Sequence, residues 1–117
     1  MNIIGIGVKI HQESREILMN KEERIKNNLE LQERLSKSLL QNHCLGAFIA
    51  LLDSGRELEL KYREVLFSIT RAGKNLIIST KENSYSYTST YELLLCAKIA
   101  NQYVIGIWDD IEIKTLF

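Results

Sequence analysis

Residues 57–78 read ELELKYREVLFSITRAGKNLII, and the pattern of this stretch decides the fold. Leu58, Leu60 and Tyr62 alternate with Glu57, Glu59, Lys61 and Arg63. Successive side chains of a strand point to opposite faces, so this alternation describes a strand with one face on a core and the other in water. Val65, Phe67 and Ile69 carry the alternation forward. Arg71-Ala72-Gly73-Lys74-Asn75 then reads as a hairpin tip, and Leu76, Ile77 and Ile78 begin the returning strand.

Upstream the period changes. Across residues 12–42, Ile17, Leu18, Ile25, Leu29, Leu35, Leu39 and Leu40 fall in one broad sector at about 100° per residue. Glu22/Lys26, Glu30/Arg34 and Glu33/Lys37 place a glutamate four residues before each basic partner, the favourable order on a helix. No Gly or Pro interrupts, so the expectation is a long amphipathic helix over 12–42. A helix of that length overhangs a small domain and leaves part of its apolar stripe in need of a partner. A second copy of the chain is the simplest one. The candidate self-association residues are Leu18, Ile25, Leu29, Leu35 and Leu39. The heptad track is imperfect, because Gln32 shares a position with Leu18, Ile25 and Leu39. Before the helix, Ile3, Ile4, Ile6, Val8 and Ile10 suggest a strand over 2–10.

Downstream, the polar Ser/Thr/Tyr-rich segment 81–90 reads as a loop. Ser89-Thr90-Tyr91-Glu92 matches a capping box opening a second, buried helix over 89–102. Residues 104–108 and 111–116 read as closing strands around Asp109-Asp110. Gly46 to Leu52 is a short apolar run, assigned with the sheet over 45–80 and ended by the turn signal Asp53-Ser54-Gly55. The expectation is therefore a single α+β domain over 1–117, with a long N-terminal amphipathic helix, a mainly antiparallel sheet of hairpins and a second buried helix near the C-terminus.

Composition bounds the function. The chain has 117 residues, enough for one core, and its 15 basic residues equal its 15 acidic ones. Proteins that hold nucleic acid through phosphate neutralisation carry a basic excess or a basic face, so the interleaved charges argue against nucleic acid as partner. No apolar run is long enough to cross a bilayer and no leader pattern opens the chain, which gives a cytoplasmic expectation. The absence of Pro and the abundance of Ile, Leu, Lys and Asn suit an AT-rich coding sequence, as in some bacteria and phages. Cys44 and Cys96 each sit in an apolar run, as small hydrophobes do. His11 and His43 lack the paired spacing of a zinc site, so neither metal nor cofactor is expected.

Two constellations carry chemistry. Glu59-Leu60-Lys61 puts a carboxylate and a lysine on one strand face, with Asp53 upstream. This resembles the Asp…Glu-x-Lys core of the PD-(D/E)xK nuclease superfamily. The resemblance implies two carboxylates holding a divalent ion that activates water, with the lysine stabilising charge on oxygen. Glu112-Ile113-Lys114, after Asp110, repeats the pattern through the same strand alternation. The second constellation is a binding surface: Tyr85, Tyr87 and Tyr91 lie near Arg71 and Lys74. Tyr and Arg supply large contact area with a polar end and favour protein interfaces, while tyrosines with basic neighbours also stack on nucleotides.

The leading expectation is a small non-enzymatic interaction protein of inhibitor, immunity, anti-defence or adaptor type, binding a protein partner and working as a homodimer. The alternatives are a metal-dependent nuclease using Asp53, Glu59 and Lys61, and a small-ligand or nucleotide-binding module.

Overall fold

The computed structural model describes residues 3–117, with side chains from residue 21 onward. Its contacts divide the chain into two compact units, Met1–Arg34 and Leu35–Phe117. Helix α1 (Ile3–Asn42) supplies residues 3–34 of the first unit, and its remaining residues belong to the second. The strand expected over 2–10 is thus a correction, since residues 3–10 are the first turns of α1. No Pro or turn residue separates them from the segment that follows. Once a helix is nucleated each further residue adds a hydrogen bond, whereas a strand needs a neighbour to pair with.

The elements of the second unit follow α1 in order. They are α2 (Leu45–Asp53), β1 (Leu58–Tyr62), β2 (Val65–Ala72), β3 (Asn75–Thr80), β4 (Ser84–Tyr87), α3 (Thr90–Cys96), β5 (Lys98–Ile99), β6 (Gln102–Tyr103), a 3-10 helix (Val104–Asp110) and β7 (Ile111–Leu116). The five-stranded sheet has the order β4-β3-β2-β1-β7, with every neighbouring pair antiparallel. The fold is α+β with a mainly antiparallel sheet, a long helix and a shorter helix near the C-terminus.

The alternation in β1 and β2 works as the sequence implies. Leu58, Leu60, Tyr62, Phe67 and Ile69 are buried, while Glu59 and Leu66 are exposed. The run Leu45–Asp53, assigned above to the sheet, is instead a helix. It buries Ala47, Phe48, Leu51 and Leu52. Its end is the turn seen in the sequence: Ser54 N donates to Ala50 O and Gly55 N to Leu52 O, with Gly55 at φ 96. That left-handed conformation is open to glycine without steric cost. Residues of α2, α3 and the 3-10 helix join the inward strand residues in one core.

One lock ties the entry of α2 to the 3-10 helix. His43 ends α1 in the left-handed region at φ 54, and its ring donates from Nε2 to the carbonyl oxygen of Trp108 at 2.6 Å. Trp108 Nε1 donates back to the His43 carbonyl at 3.2 Å, and the two rings stack with centroids 4.3 Å apart. Two backbone acceptors and two rings are thereby satisfied by a single reciprocal pair.

Three further segments differ from expectation. The segment 81–90 contains β4, whose polar Ser-Tyr-Ser-Tyr pattern alternates as a strand does. The helix expected over 89–102 stops at Cys96 and buries only one face, through Thr90, Leu93 and Leu94; Tyr91 and Leu95 are exposed. After it the chain folds back as the β5–β6 hairpin, turning at Ala100 (φ 51) and Asn101 (φ 65). Residues 104–108, expected as a strand, belong to the 3-10 helix, which buries Val104, Ile107 and Trp108.

Candidate binding groove beside strand β4

Strand β4 lies at one edge of the sheet and, among the described residues, pairs with β3 alone. The connection is a tight polar turn. Thr80 Oγ1 accepts from Glu82 N at 3.4 Å and from Asn83 N at 3.2 Å, and Thr80 N donates to Asn83 O at 2.8 Å. The register is Leu76↔Tyr87, Ile77↔Ser86, Ile78↔Tyr85 and Ser79↔Ser84. Tyr85 and Tyr87 therefore stand on the same face as the buried Leu76 and Ile78. Ser84 and Ser86 stand on the opposite face, where Ser84 Oγ lies 2.8 Å from Ser79 Oγ.

An open depression of about 1430 Å³ surrounds this end of the sheet, where β2 begins and β3 turns into β4. Tyr85, Tyr87, Cys96, Lys98, Ile99 and Asn101 line its inner side. Tyr87 is half-buried against the core, and desolvation, with Cys96, Tyr85 and Glu92 nearby, raises its phenol above the ordinary tyrosine range. It stays protonated as a hydrogen-bond donor throughout the neutral range. The Lys98 ammonium sits 4.8 Å from the centroid of the Tyr103 ring. The lining of this groove mixes two phenols, a thiol and the apolar Val65, Phe67 and Ile99 with the carboxylates of Glu64 and Glu82 and the ammonium groups of Lys81 and Lys98.

The structure brings together part of the binding set expected from sequence. Tyr85 and Tyr87 are neighbours on one face. Tyr91 is exposed on the first turn of α3 and Lys74 is exposed at the β2–β3 tip. Arg71 shares a cross-strand row with Leu76 and Tyr87 but is taken up by the fold. Its backbone N donates to Glu57 Oε2 at 2.7 Å and its Nη2 to Leu52 O at 2.6 Å, with Nε buried and unpaired. Arg71 is thus a clamp on the C-terminal end of α2, where a cation suits the helix dipole.

The structure does not place the residues of the nuclease expectation on one face. Asp53 ends α2, and its Oδ1 accepts from the hydroxyl of the buried Thr90 at 2.7 Å. Glu59 and Lys61 stand on the opposite, outer face of β1, where Thr115 donates to Glu59 at 3.4 Å. The sheet separates the two carboxylates. Glu112 pairs with Lys114 at 3.1 Å. Among the described residues, no group of three or more His, Cys, Asp or Glu could hold a metal ion. Nor is any described helix long and apolar enough to cross a membrane.

The helical stripe divides. Leu39 is fully buried and Leu35 packs on the core, so both serve the chain's own interior. Ile25 and Leu29 are 62% and 67% exposed, and Leu40 is 56% exposed. Leu18 lies outside the residues whose side chains are described. Cys96, read from sequence as a small hydrophobe in an apolar run, is instead exposed at the end of α3, and Cys44 is half-buried; the β4 edge was not singled out from sequence. The signal available for the edge was the alternation in Ser84-Tyr85-Ser86-Tyr87, hidden by its polar composition. Comparison with protein families, with curated proteins and with solved structures finds no match.

Proposed function

We propose that this chain is an interaction protein that acts by binding another macromolecule, of inhibitor or adaptor type, and that it works as a homodimer built on α1. The observation that carries the reading is the unpartnered apolar pair on that helix. Ile25 and Leu29 are one turn apart and both lie open to solvent. Large aliphatic side chains gain about 1.5–3 kcal/mol each on burial, so a stripe repeated on two chains supplies enough to offset part of the entropy of association. A twofold packing of α1 against its copy buries the same stripe on both chains. The equal numbers of acidic and basic residues fit a protein partner better than a polyanion.

Sedimentation velocity on the full chain tests the dimer. The expected result is a dimer at high micromolar concentration that Leu29→Glu converts to monomer with far-ultraviolet circular dichroism unchanged. A wild-type chain that stays monomeric under those conditions refutes it.

A further inference from the structure

The two edges of the five-stranded sheet are treated differently. Edge strands present unpaired backbone groups, and proteins blunt them with charge, bulges or a covering element. Strand β7 carries Glu112 and Lys114, and its pairing with β1 shifts register between Glu59 and Leu60. A bulge of that kind twists an edge away from further pairing. Strand β4 reads Ser84-Tyr85-Ser86-Tyr87, with no charge, no proline and an unbroken register to β3. Ser84, Tyr85 and Ser86 are all exposed.

The hydrogen-bond pattern says which groups are open. The bond from Thr80 N to Asn83 O makes Thr80 and Asn83 a hydrogen-bonded pair. Antiparallel ladders alternate hydrogen-bonded and non-hydrogen-bonded pairs. Ile78↔Tyr85 and Leu76↔Tyr87 are then the bonded pairs, and the backbone N–H and C=O groups of Ser84 and Ser86 point out from the sheet. These are two donors and two acceptors at strand spacing, beside a groove floored by Tyr85 and Tyr87.

We propose that β4 is a docking edge for an extended segment of another protein, which adds to the sheet as a sixth strand. Main-chain bonds to Ser84 and Ser86 fix the segment, and every second side chain of it falls over the groove beside Tyr85, Tyr87 and Cys96. The partner segment therefore carries apolar side chains at alternate positions, as in strand addition generally. A second copy of the chain is the poorer occupant. Pairing of β4 with its own copy joins strands about 13 Å long and little else, whereas a segment of another protein adds side chains that fill the adjoining groove of about 1430 Å³. This inference rests on the interaction-protein reading and assigns the surface for it.

The probe is a phage-displayed library of random peptides selected on the full-length chain. Selected peptides are expected to alternate apolar residues, to protect the Ser84 and Ser86 amides from hydrogen exchange, and to lose at least tenfold in affinity to Ser86→Pro. Proline is tolerated on an edge whose N–H faces solvent, so this variant removes one outward donor and leaves the β3–β4 ladder intact. Ser86→Ala, which keeps the donor, is expected to bind as wild type. Three results overturn the proposal: no selected peptide, binding indifferent to Ser86→Pro, or an oligomer that Ser86→Pro dissociates. The α1 dimer is read separately, since Ser86→Pro leaves its sedimentation unchanged while Leu29→Glu leaves peptide binding unchanged.

Discussion

Asp53 distinguishes a carboxylate that supports the fold from one that performs chemistry, and three substitutions separate the two. Its Oδ1 accepts from the Thr90 hydroxyl at 2.7 Å, and Thr90 is 1% exposed. Asp53→Ala leaves that hydroxyl buried without an acceptor, a loss of about 1–3 kcal/mol. Asp53 itself is exposed, so solvent takes part of the vacated place and the lower half of that range applies. It is also the last residue of α2, where negative charge opposes the helix dipole; removing the charge returns about 0.3–1 kcal/mol. The net cost of Asp53→Ala is then about 1 kcal/mol. Asp53→Asn keeps an oxygen acceptor and drops the charge, so it stays within about 0.5 kcal/mol of wild type. Urea unfolding followed by Trp108 fluorescence reads the difference. With a slope of about 1.5 kcal/mol per molar, alanine lowers the midpoint by about 0.7 M and asparagine by less than half of that. In the Thr90→Val background the hydroxyl is gone, and Asp53→Ala becomes neutral or slightly stabilising. Equal losses for alanine and asparagine, or an undiminished alanine cost in that background, refute the reasoning.

Two further perturbations probe the second unit. His43→Asn keeps a residue that tolerates φ 54 but removes the ring stacked on Trp108 and its bond to the Trp108 carbonyl. The expected cost is about 1–3 kcal/mol, with a red shift of Trp108 emission; an unshifted spectrum at full stability counts against the lock. Ala100 sits at φ 51 in the β5–β6 turn, a conformation costing an L-residue about 1–2 kcal/mol. Ala100→Gly relieves that strain, loses about 0.5–1 kcal/mol to chain entropy and is expected to raise the thermal midpoint slightly. A lowered midpoint contradicts the assigned turn.

What the sequence disclosed follows from how local each signal is. Strands β1 to β3 were legible because one face is wet, so burial is written as period two in Leu58-Glu59-Leu60-Lys61-Tyr62. The start of α3 was legible because a cap is a local bond: Ser89 Oγ accepts from Glu92 N at 3.1 Å. The Glu92 carboxylate returns to Thr88 N at 3.2 Å, one residue earlier than the capping-box pattern implies. The helix Leu45–Asp53 was misread because an apolar run of this length, buried on several sides, has no period to distinguish helix from strand. The end of α3 at Cys96 was invisible, since Ala100 and Asn101 at positive φ follow from tertiary packing and not from a Gly-containing turn. The candidate site was legible in Tyr85 and Tyr87 and misleading in Arg71. A charge near an aromatic in sequence looks the same whether it faces a partner or clamps a helix. Asp53 and Glu59 are six residues apart in sequence, yet a sheet stands between them in the fold.

The sheet order β4-β3-β2-β1-β7 also imposes a sequence of events on folding. Strands β1 to β4 form a meander of short hairpins that closes quickly, because its contacts are local. The second edge of β1 stays bare until β7 arrives from some fifty residues downstream, pairing Leu58↔Leu116 through Tyr62↔Ile111. During synthesis β1, with Leu58, Leu60 and Tyr62 on its buried face, thus waits, unsheathed on one side, for β7 to emerge. A ribosome that stalls before Ile111, or a protease that trims back to it, releases a chain that keeps most of its core and exposes a five-residue adhesive strip. Strand β7 is in this sense a tether on self-aggregation, and quality control of this protein hinges on whether β7 has docked on β1.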